Sequence, residues 1–256
     1  MDRQQFEKLF DLSGRVALVT GGSRGIGRAI AESYAFAGAK VVIASRKAEA
    51  CKETVAAIEA AGGEALAVPT HMGELDQLKN LVDRTLDHFG GIDILVNNAA
   101  NALAMPFAEM TPEAWEKSLS VNLRGPVFLT QYCLPALEQS EHASVIHVSS
   151  AGAFLFSPFT HMYAAAKAGL LAYVRSNAAE LNPLRIRVNG IAPGTIDTDM
   201  VRNNPPEVQE AMAKASLMGR AAHPDELVGI ALYLASDASS FVTGATFHVD
   251  GGLVAR

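Results

Sequence analysis

The chain has 256 residues, of which 49% are hydrophobic and 19% charged, a balance that describes one globular unit with a large core and excludes a disordered chain. Lys and Arg total 21 against 27 Asp and Glu, a formal charge of −6, and no basic run is available to follow a phosphate backbone, so nucleic acid is not an expected partner. The two cysteines, Cys51 and Cys133, match no zinc spacing and cannot build a disulfide framework, which points to a reducing compartment. Residues 1–15 carry Asp2, Glu7 and Asp11 where a signal peptide would be apolar, and no stretch reaches the ~18 unbroken apolar residues of a membrane span. The expected location is the cytoplasm, without a membrane partner.

In chain order, the first β-branched run is Arg15 to Thr20. Thr20-Gly21-Gly22-Ser23-Arg24-Gly25-Ile26-Gly27 follows at once, then a helix that puts Ile26, Ala29, Ile30, Tyr34 and Ala37 on one face. Glycine permits positive φ and close approach of a ligand, and the helix N-terminus behind it offers N–H groups to a diphosphate. Taken alone the cluster reads equally as a tight turn, and its spacing departs from G-x-G-x-x-G. The second strand, Lys40 to Ser45, runs into Arg46 and Lys47 with no acid before Glu49. A carboxylate there would bind the ribose hydroxyls of NAD, whereas Ser45, Arg46 and Arg24 suit the 2′-phosphate of NADP(H). The alternative is that Arg46 and Lys47 are solvated residues at a helix start.

Further strands are expected at Ala65 to Val68, Ile92 to Asn97, Ser144 to Ser149, Ile186 to Ile191 and Ala245 to Val249, with helical spacing between them. The alternation predicts an α/β fold: a single-domain doubly wound parallel sheet, Rossmann-like, of about seven strands with helices on both faces, spanning 1–256. Residues 194–220 are the least regular, with Pro205-Pro206 interrupting any helix before the pattern resumes at Glu207; a substrate lid is expected at 195–220.

Tyr163-Ala164-Ala165-Ala166-Lys167 opens a helix in which the i,i+4 spacing places phenol and ammonium on one face. A neighbouring cation favours phenolate, so the tyrosine pKa is expected to fall towards the range of a working acid/base group. The pair alone also reads as an ordinary helix with a packed Tyr and a solvated Lys. In the same way Ser150 alone is a strand-end hydroxyl in a turn, and Asn122 alone a capping or bridging amide. His147 and His248 are expected to be packed or solvated, and no metal-ligand cluster is visible. Phe154, Phe156 and Phe159 lie between Ser150 and Tyr163, either as core residues or facing a substrate.

Together these residues resemble the short-chain dehydrogenase/reductase family, from Arg15 to Gly252. The likeness rests on Thr20-Gly-x-x-x-Gly25-x-Gly27, Asn97-Asn98-Ala99-Ala100, Asn122, Ser149-Ser150, Tyr163-x-x-x-Lys167, Pro193-Gly194 with Thr198, and Asp250-Gly251-Gly252. The resemblance implies hydride transfer between a nicotinamide cofactor and a carbonyl or secondary alcohol, with Tyr163 as general acid/base. Ser150, thirteen residues before Tyr163, would hydrogen-bond the reacting oxygen. Lys167 would lower the Tyr163 pKa and hold the nicotinamide ribose, and the Asn122 carbonyl would hold a water linking Lys167 to solvent. Gly21, Ser23, Arg24, Gly25, Ile26, Gly27, Ser45, Arg46, Asn98, Pro193, Gly194 and Thr198 would line the cofactor. Two departures are Ala100, where the family has glycine, and His71, near the point where it commonly has an Asp for adenine.

The expected protein is an NADP(H)-dependent reductase of small-molecule or acyl-chain carbonyl substrates, similar both to carbonyl reductases and to 3-oxoacyl carrier-protein reductases. An NAD-dependent alcohol dehydrogenase and a non-catalytic dinucleotide-binding sensor are the alternatives, the latter disfavoured because Asn122, Ser150, Tyr163 and Lys167 are all present. The helix from Tyr163 to Glu180 is apolar around most of its circumference; with the family's common use of this helix in assembly, a homotetramer is expected.

Overall fold

The computed structural model describes residues 1–156 and 158–254. Seven parallel strands make one sheet: β1 (Val16–Thr20), β2 (Lys40–Ser45), β3 (Glu64–Pro69), β4 (Ile94–Asn97), β5 (Ser144–Val148), β6 (Arg187–Pro193) and β7 (Thr246–Val249). Their order is β3-β2-β1-β4-β5-β6-β7, the doubly wound arrangement that the alternation of strands and helices implies. Strand ends differ from the expected ones by one or two residues, the usual uncertainty of element boundaries.

The helices are α1 (Arg3–Lys8), α2 (Gly25–Phe36), α3 (Ala48–Ala60), α4 (Leu75–Phe89), α5 (Pro112–Leu119), α6 (Gly125–Leu137), α7 (His161–Leu181), α8 (Asp199–Arg202), α9 (Pro206–Lys214) and α10 (Val228–Ala235). Every residue of β1, β4 and β5 is buried, because helices cover both faces of the sheet. Alternate side chains therefore feed two cores. Val19, Ile43, Ile94 and Ile146 pack with Ile30, Tyr34 and Leu234 on one face. Leu18, Val42, Leu95 and Val145 pack with Leu78, Leu129 and Cys133 on the other. Cys51 and Cys133 are free, buried thiols. Among the described residues no helix is long and apolar enough to cross a membrane, and no cluster of His, Cys, Asp or Glu could hold a metal ion.

After β3 the chain returns to place β4 beside β1. Successive connections leave β1 in opposite directions at this point, so a crevice opens outside the carboxyl ends of the strands. Two further features shape it. A π-turn, Ser120–Arg124, joins α5 to α6. Beyond β6, the segment expected to be least regular carries two helices: α8 stops at Arg202, capped by Asn203, and α9 begins at Pro206, where a missing N–H leaves no bond unmade. That segment is internally braced: Thr195 Oγ1 donates to the Met212 carbonyl at 2.9 Å, and Gln209 Nε2 to the carbonyls of Arg202 and Asn204 at 2.9 and 2.7 Å.

Candidate active site

The turn after β1 is held from below by one hydroxyl. Thr20 Oγ1 donates to the Val96 carbonyl at 3.1 Å and accepts from the N–H groups of Asn98 and Ala99 at 2.9 and 3.1 Å, fastening the ends of β1 and β4 together. Asn98 Nδ2 then donates to the Thr20 carbonyl at 2.8 Å. Gly21 adopts φ +66, and a Cβ there would lie 2.7 Å from Asn98 Nδ2; a Cβ on Gly27 would lie 2.3 Å from the Gly21 carbonyl oxygen. Both positions exclude a side chain, which brings the backbone of the turn and the first turn of α2 together at the cleft. No side chain caps that first turn, so its N–H groups are available to an anion. A dinucleotide diphosphate fits this cradle.

The cleft above it has a volume of about 520 Å³, within the range of roughly 300–1,000 Å³ typical of small-molecule sites. Gly21, Ser23, Arg24, Gly25, Ile26, Ser45, Arg46, Asn98, Ser150, Tyr163, Lys167, Pro193, Gly194 and Thr198 all line it. Gly27 and Asn122 do not: Gly27 is buried beneath Gly21, and Asn122 is fully buried in the π-turn. The Asn122 side chain accepts from the Asn101 N–H at 3.0 Å and donates to the Asn101 carbonyl at 2.8 Å. It thereby fixes the loop that leaves β4.

Arg46 and Arg24 have different surroundings. Among the described residues Arg46 makes no ion pair, and it is exposed at the end of β2. Arg24 is paired with Asp199 of α8 at 2.7 Å, a partner with no signal in the sequence. His71 also lines the cleft; its Nδ1 accepts from the Gly73 N–H at 3.1 Å, so a neutral ring carries its proton on Nε2. Thr70, Met72, Val121 and Met200 are among the other residues of the wall. None of them carries a signal in the sequence, because single residues without glycine or charge patterning in short or irregular segments leave no periodic trace.

At the carboxyl end of β5 the two serines diverge. Ser149 is buried, and its hydroxyl donates to the Lys167 carbonyl at 2.9 Å. Ser150 accepts from the Gly152 N–H at 3.0 Å, and its hydroxyl lies close enough to the Tyr163 phenol to act on its pKa. Lys167 is buried, its Nζ donating to the Val148 carbonyl at 2.7 Å and standing 5.7 Å from the centroid of the Tyr163 ring. Burial lowers its pKa to about 8, because the charged form loses its hydration.

The expected fall of the Tyr163 pKa is corrected by this geometry. Burial pushes the phenol up, and the hydrogen bond with Ser150 opposes that without overcoming it. The Lys167 ammonium is directed at Val148 and lies over the ring rather than at the hydroxyl. His147 is fully buried in β5, and both ring nitrogens lack a hydrogen-bond partner. Burial, with Lys167 adding to it, lowers its pKa to about 3, so it is a neutral packed residue. His248 packs against Phe154 with the rings tilted, their centroids 4.6 Å apart.

A parallel doubly wound sheet with a glycine turn at its switch point, facing a Ser–Tyr–Lys group across one cleft, defines a dinucleotide-binding α/β oxidoreductase. The family model described as enoyl-(acyl carrier protein) reductase matches residues 21–254. The chain is 35% identical over 243 residues to 3-oxoacyl-[acyl-carrier-protein] reductase FabG of Thermotoga maritima, covering 95% of this chain and 99% of that protein. It is 37% identical over 248 residues to dehydrogenase/reductase SDR family member 4 of Homo sapiens, covering 96% and 89%. A solved structure described as a putative NAD(P)-dependent gluconate 5-dehydrogenase from Beutenbergia cavernae with bound NADP (low occupancy) superposes with a TM-score of 0.91 at 33% identity, covering 97% and 100%. The chain belongs to the short-chain dehydrogenase/reductase family, whose members use a nicotinamide dinucleotide.

Proposed function

We propose that the protein is an NADP(H)-dependent reductase of carbonyl compounds, working in reverse as a dehydrogenase of secondary alcohols. The observation that carries this reading is that Ser150, Tyr163 and the buried Lys167 line one cleft, whose floor fits a diphosphate. A bound nicotinamide supplies a hydride to the carbonyl carbon, or accepts one from the alcohol.

The chain's own residues handle the oxygen. Ser150 donates a hydrogen bond to it, and Tyr163 delivers its hydroxyl proton as negative charge develops there. A phenol held protonated by burial is well suited to that donor role. Lys167 compensates the tyrosinate left behind and binds the nicotinamide ribose. The Asn122 backbone carbonyl, in the π-turn, holds a water through which the proton is restored. Gly21, Ser23, Gly25, Ile26 and Gly27 form the diphosphate cradle. Asn98 stands at the adenosine ribose, and Pro193, Gly194 and Thr198 at the nicotinamide end. The segment 195–220 serves as the lid over the substrate.

The missing carboxylate after β2, with Ser45 and the unpaired Arg46 in its place, favours a 2′-phosphate; the neighbour from Beutenbergia cavernae with bound NADP agrees. One observation favours NAD(H) instead, namely that Arg24 is already engaged with Asp199. The test is to titrate both cofactors calorimetrically and to follow nicotinamide absorbance with a panel of ketones, aldehydes and 3-oxoacyl thioesters. NADPH binding tighter than NADH, with turnover of carbonyl substrates, is the expected result; equal affinities or no turnover would remove the reading.

A further inference from the structure

The strand order β3-β2-β1 lays three strand ends along the cofactor half of the cleft. The glycine turn follows β1, Ser45 and Arg46 stand at the end of β2, and Thr70, His71 and Met72 follow β3 and continue the same wall. The Thr70 N–H donates to the Ser45 carbonyl at 2.9 Å, so this last turn adjoins the place proposed for the ribose 2′-phosphate. A purine carried by that ribose meets residues 70–72.

Four acceptors at this turn are occupied by protein donors. Gln77 Oε1 accepts from the His71 N–H at 2.7 Å, and the His71 ring Nδ1 accepts from the Gly73 N–H at 3.1 Å. The His71 carbonyl accepts from the Glu74 N–H at 3.0 Å, and the Gly73 carbonyl from Arg124 Nη2 at 3.0 Å. A Cβ on Gly125 would strike the Met72 carbonyl oxygen, so that carbonyl lies against the start of α6. Two donors remain. With Nδ1 accepting, the neutral His71 ring carries its proton on Nε2; the other donor is the N–H of buried Met72. Neither has a hydrogen-bond partner among the described residues. A buried N–H in a cleft wall calls for an acceptor from a ligand.

Adenine places a ring-nitrogen acceptor beside its amino donor, whereas a 6-oxopurine places the acceptors N7 and O6 side by side. Two donors on consecutive residues match the second pattern; with adenine, one of them is paired with an amino group that cannot accept. From this we infer that His71 makes the base site selective for a 6-oxopurine, so that nicotinamide hypoxanthine dinucleotide phosphate binds more tightly than NADP. The inference rests on the cofactor site of the function proposed above and concerns recognition alone.

The two dinucleotides differ only at C6 and N1 of the base, so their diphosphate, 2′-phosphate and nicotinamide contacts cancel in the ratio of their calorimetric Kd values. In the wild type the hypoxanthine form should bind about fivefold more tightly, the scale of one hydrogen bond. His71→Asn and His71→Asp separate donor from acceptor. Either side chain can keep the Gly73 N–H through one oxygen, as Asn and Asp do in turns; Asn then turns an amide donor to the base, and Asp a carboxylate acceptor. His71→Asn should keep the preference, and His71→Asp should reverse it to about tenfold in favour of adenine. The added charge acts on both dinucleotides alike and drops out of the ratio. Equal wild-type affinities, tighter binding of the adenine form, or one ratio shared by the Asn and Asp proteins would overturn the inference. Ketone turnover with NADPH, followed on the same protein, would then show the reductase reading still standing. Binding of neither dinucleotide would remove both.

Discussion

Arg24 Nη1 stands 2.7 Å from Asp199 Oδ2, joining the glycine turn after β1 to the first helix of the segment after β6 that lines the cleft. Both side chains are substantially exposed, so the pair contributes at most about 1 kcal/mol. A charge-assisted bond to a phosphate is worth roughly 1.5–3 kcal/mol, so the 2′-phosphate of the proposed cofactor would displace Asp199 from Arg24. Asp199→Asn should tighten NADPH up to about fivefold while leaving NADH unaffected. Calorimetric Kd values for the two cofactors check it; equal changes for both would mean that Arg24 never reaches the phosphate.

Arg46, which needs no release from a partner, should matter more. Arg46→Ala is expected to weaken NADPH by about ten- to a hundredfold more than NADH. Ser45→Asp should reverse the preference, because a carboxylate repels the phosphate and offers acceptors to ribose hydroxyls. Matching losses for both cofactors in Arg46→Ala would leave Arg46 as a solvated helix-start residue.

Tyr163→Phe removes the proposed proton donor and keeps the ring over which Lys167 lies. Turnover should fall at least ~10²-fold with cofactor Kd nearly unchanged, whereas Lys167→Ala should impair both. A Tyr163→Phe protein with near-normal turnover of a good substrate would exclude the assigned acid.

The buried imidazole of His147 predicts an acid limb in stability. Its folded pKa is depressed to about 3 from the ordinary 6.5, so between those values the unfolded chain binds the extra proton. Its contribution is fully present above pH 6.5 and is lost as pH falls towards 3. From pH 7 to pH 5 it should remove about 2 kcal/mol, a loss absent from His147→Asn. Urea midpoints of both proteins at the two pH values check it, and parallel losses would show that His147 is not held neutral.

The outward face of α7 is lined with exposed Ala165, Ala168 and Ala172, beside Tyr173. Small residues let helices approach closely, and a homotetramer built partly on this face is expected to be stable at micromolar protein. Ala168→Arg should shift the mass measured by light scattering to a smaller species; a wild-type monomer would refute the assembly outright.

The parts of this molecule legible in its sequence are those where periodicity or glycine records a backbone demand. β1, β4 and β5 are buried along their whole length because both faces are covered, which their mostly apolar sequences record, and Gly21 and Gly27 stand where a Cβ would strike backbone or Asn98. Spacing put Tyr163 and Lys167 on one helix face, and only the resemblance to the family marked them as a working pair. What spacing could not give was direction: the Lys167 ammonium turns to the Val148 carbonyl, and burial raises the phenol that it was expected to lower. The Asp199 partner of Arg24 was equally hidden, since 175 residues separate the two. Likewise Asn122 reads as a single polar residue, while its work of fixing the loop at Asn101 depends on a π-turn that no residue pattern announced.

The two halves of the cleft are fastened differently, and that difference bears on how the protein can change. The cofactor half hangs on Thr20, whose one hydroxyl satisfies three backbone groups at the junction of β1 and β4; almost any replacement there strands buried polar atoms. Between the loop after β4 and the segment before α7 runs the Met105–Phe159 backbone bond, which does not depend on side-chain identity, and the rings at 107 and 154 are exposed to solvent. Random mutagenesis should therefore yield lineages that drift in the compounds they accept while the nucleotide they use stays fixed.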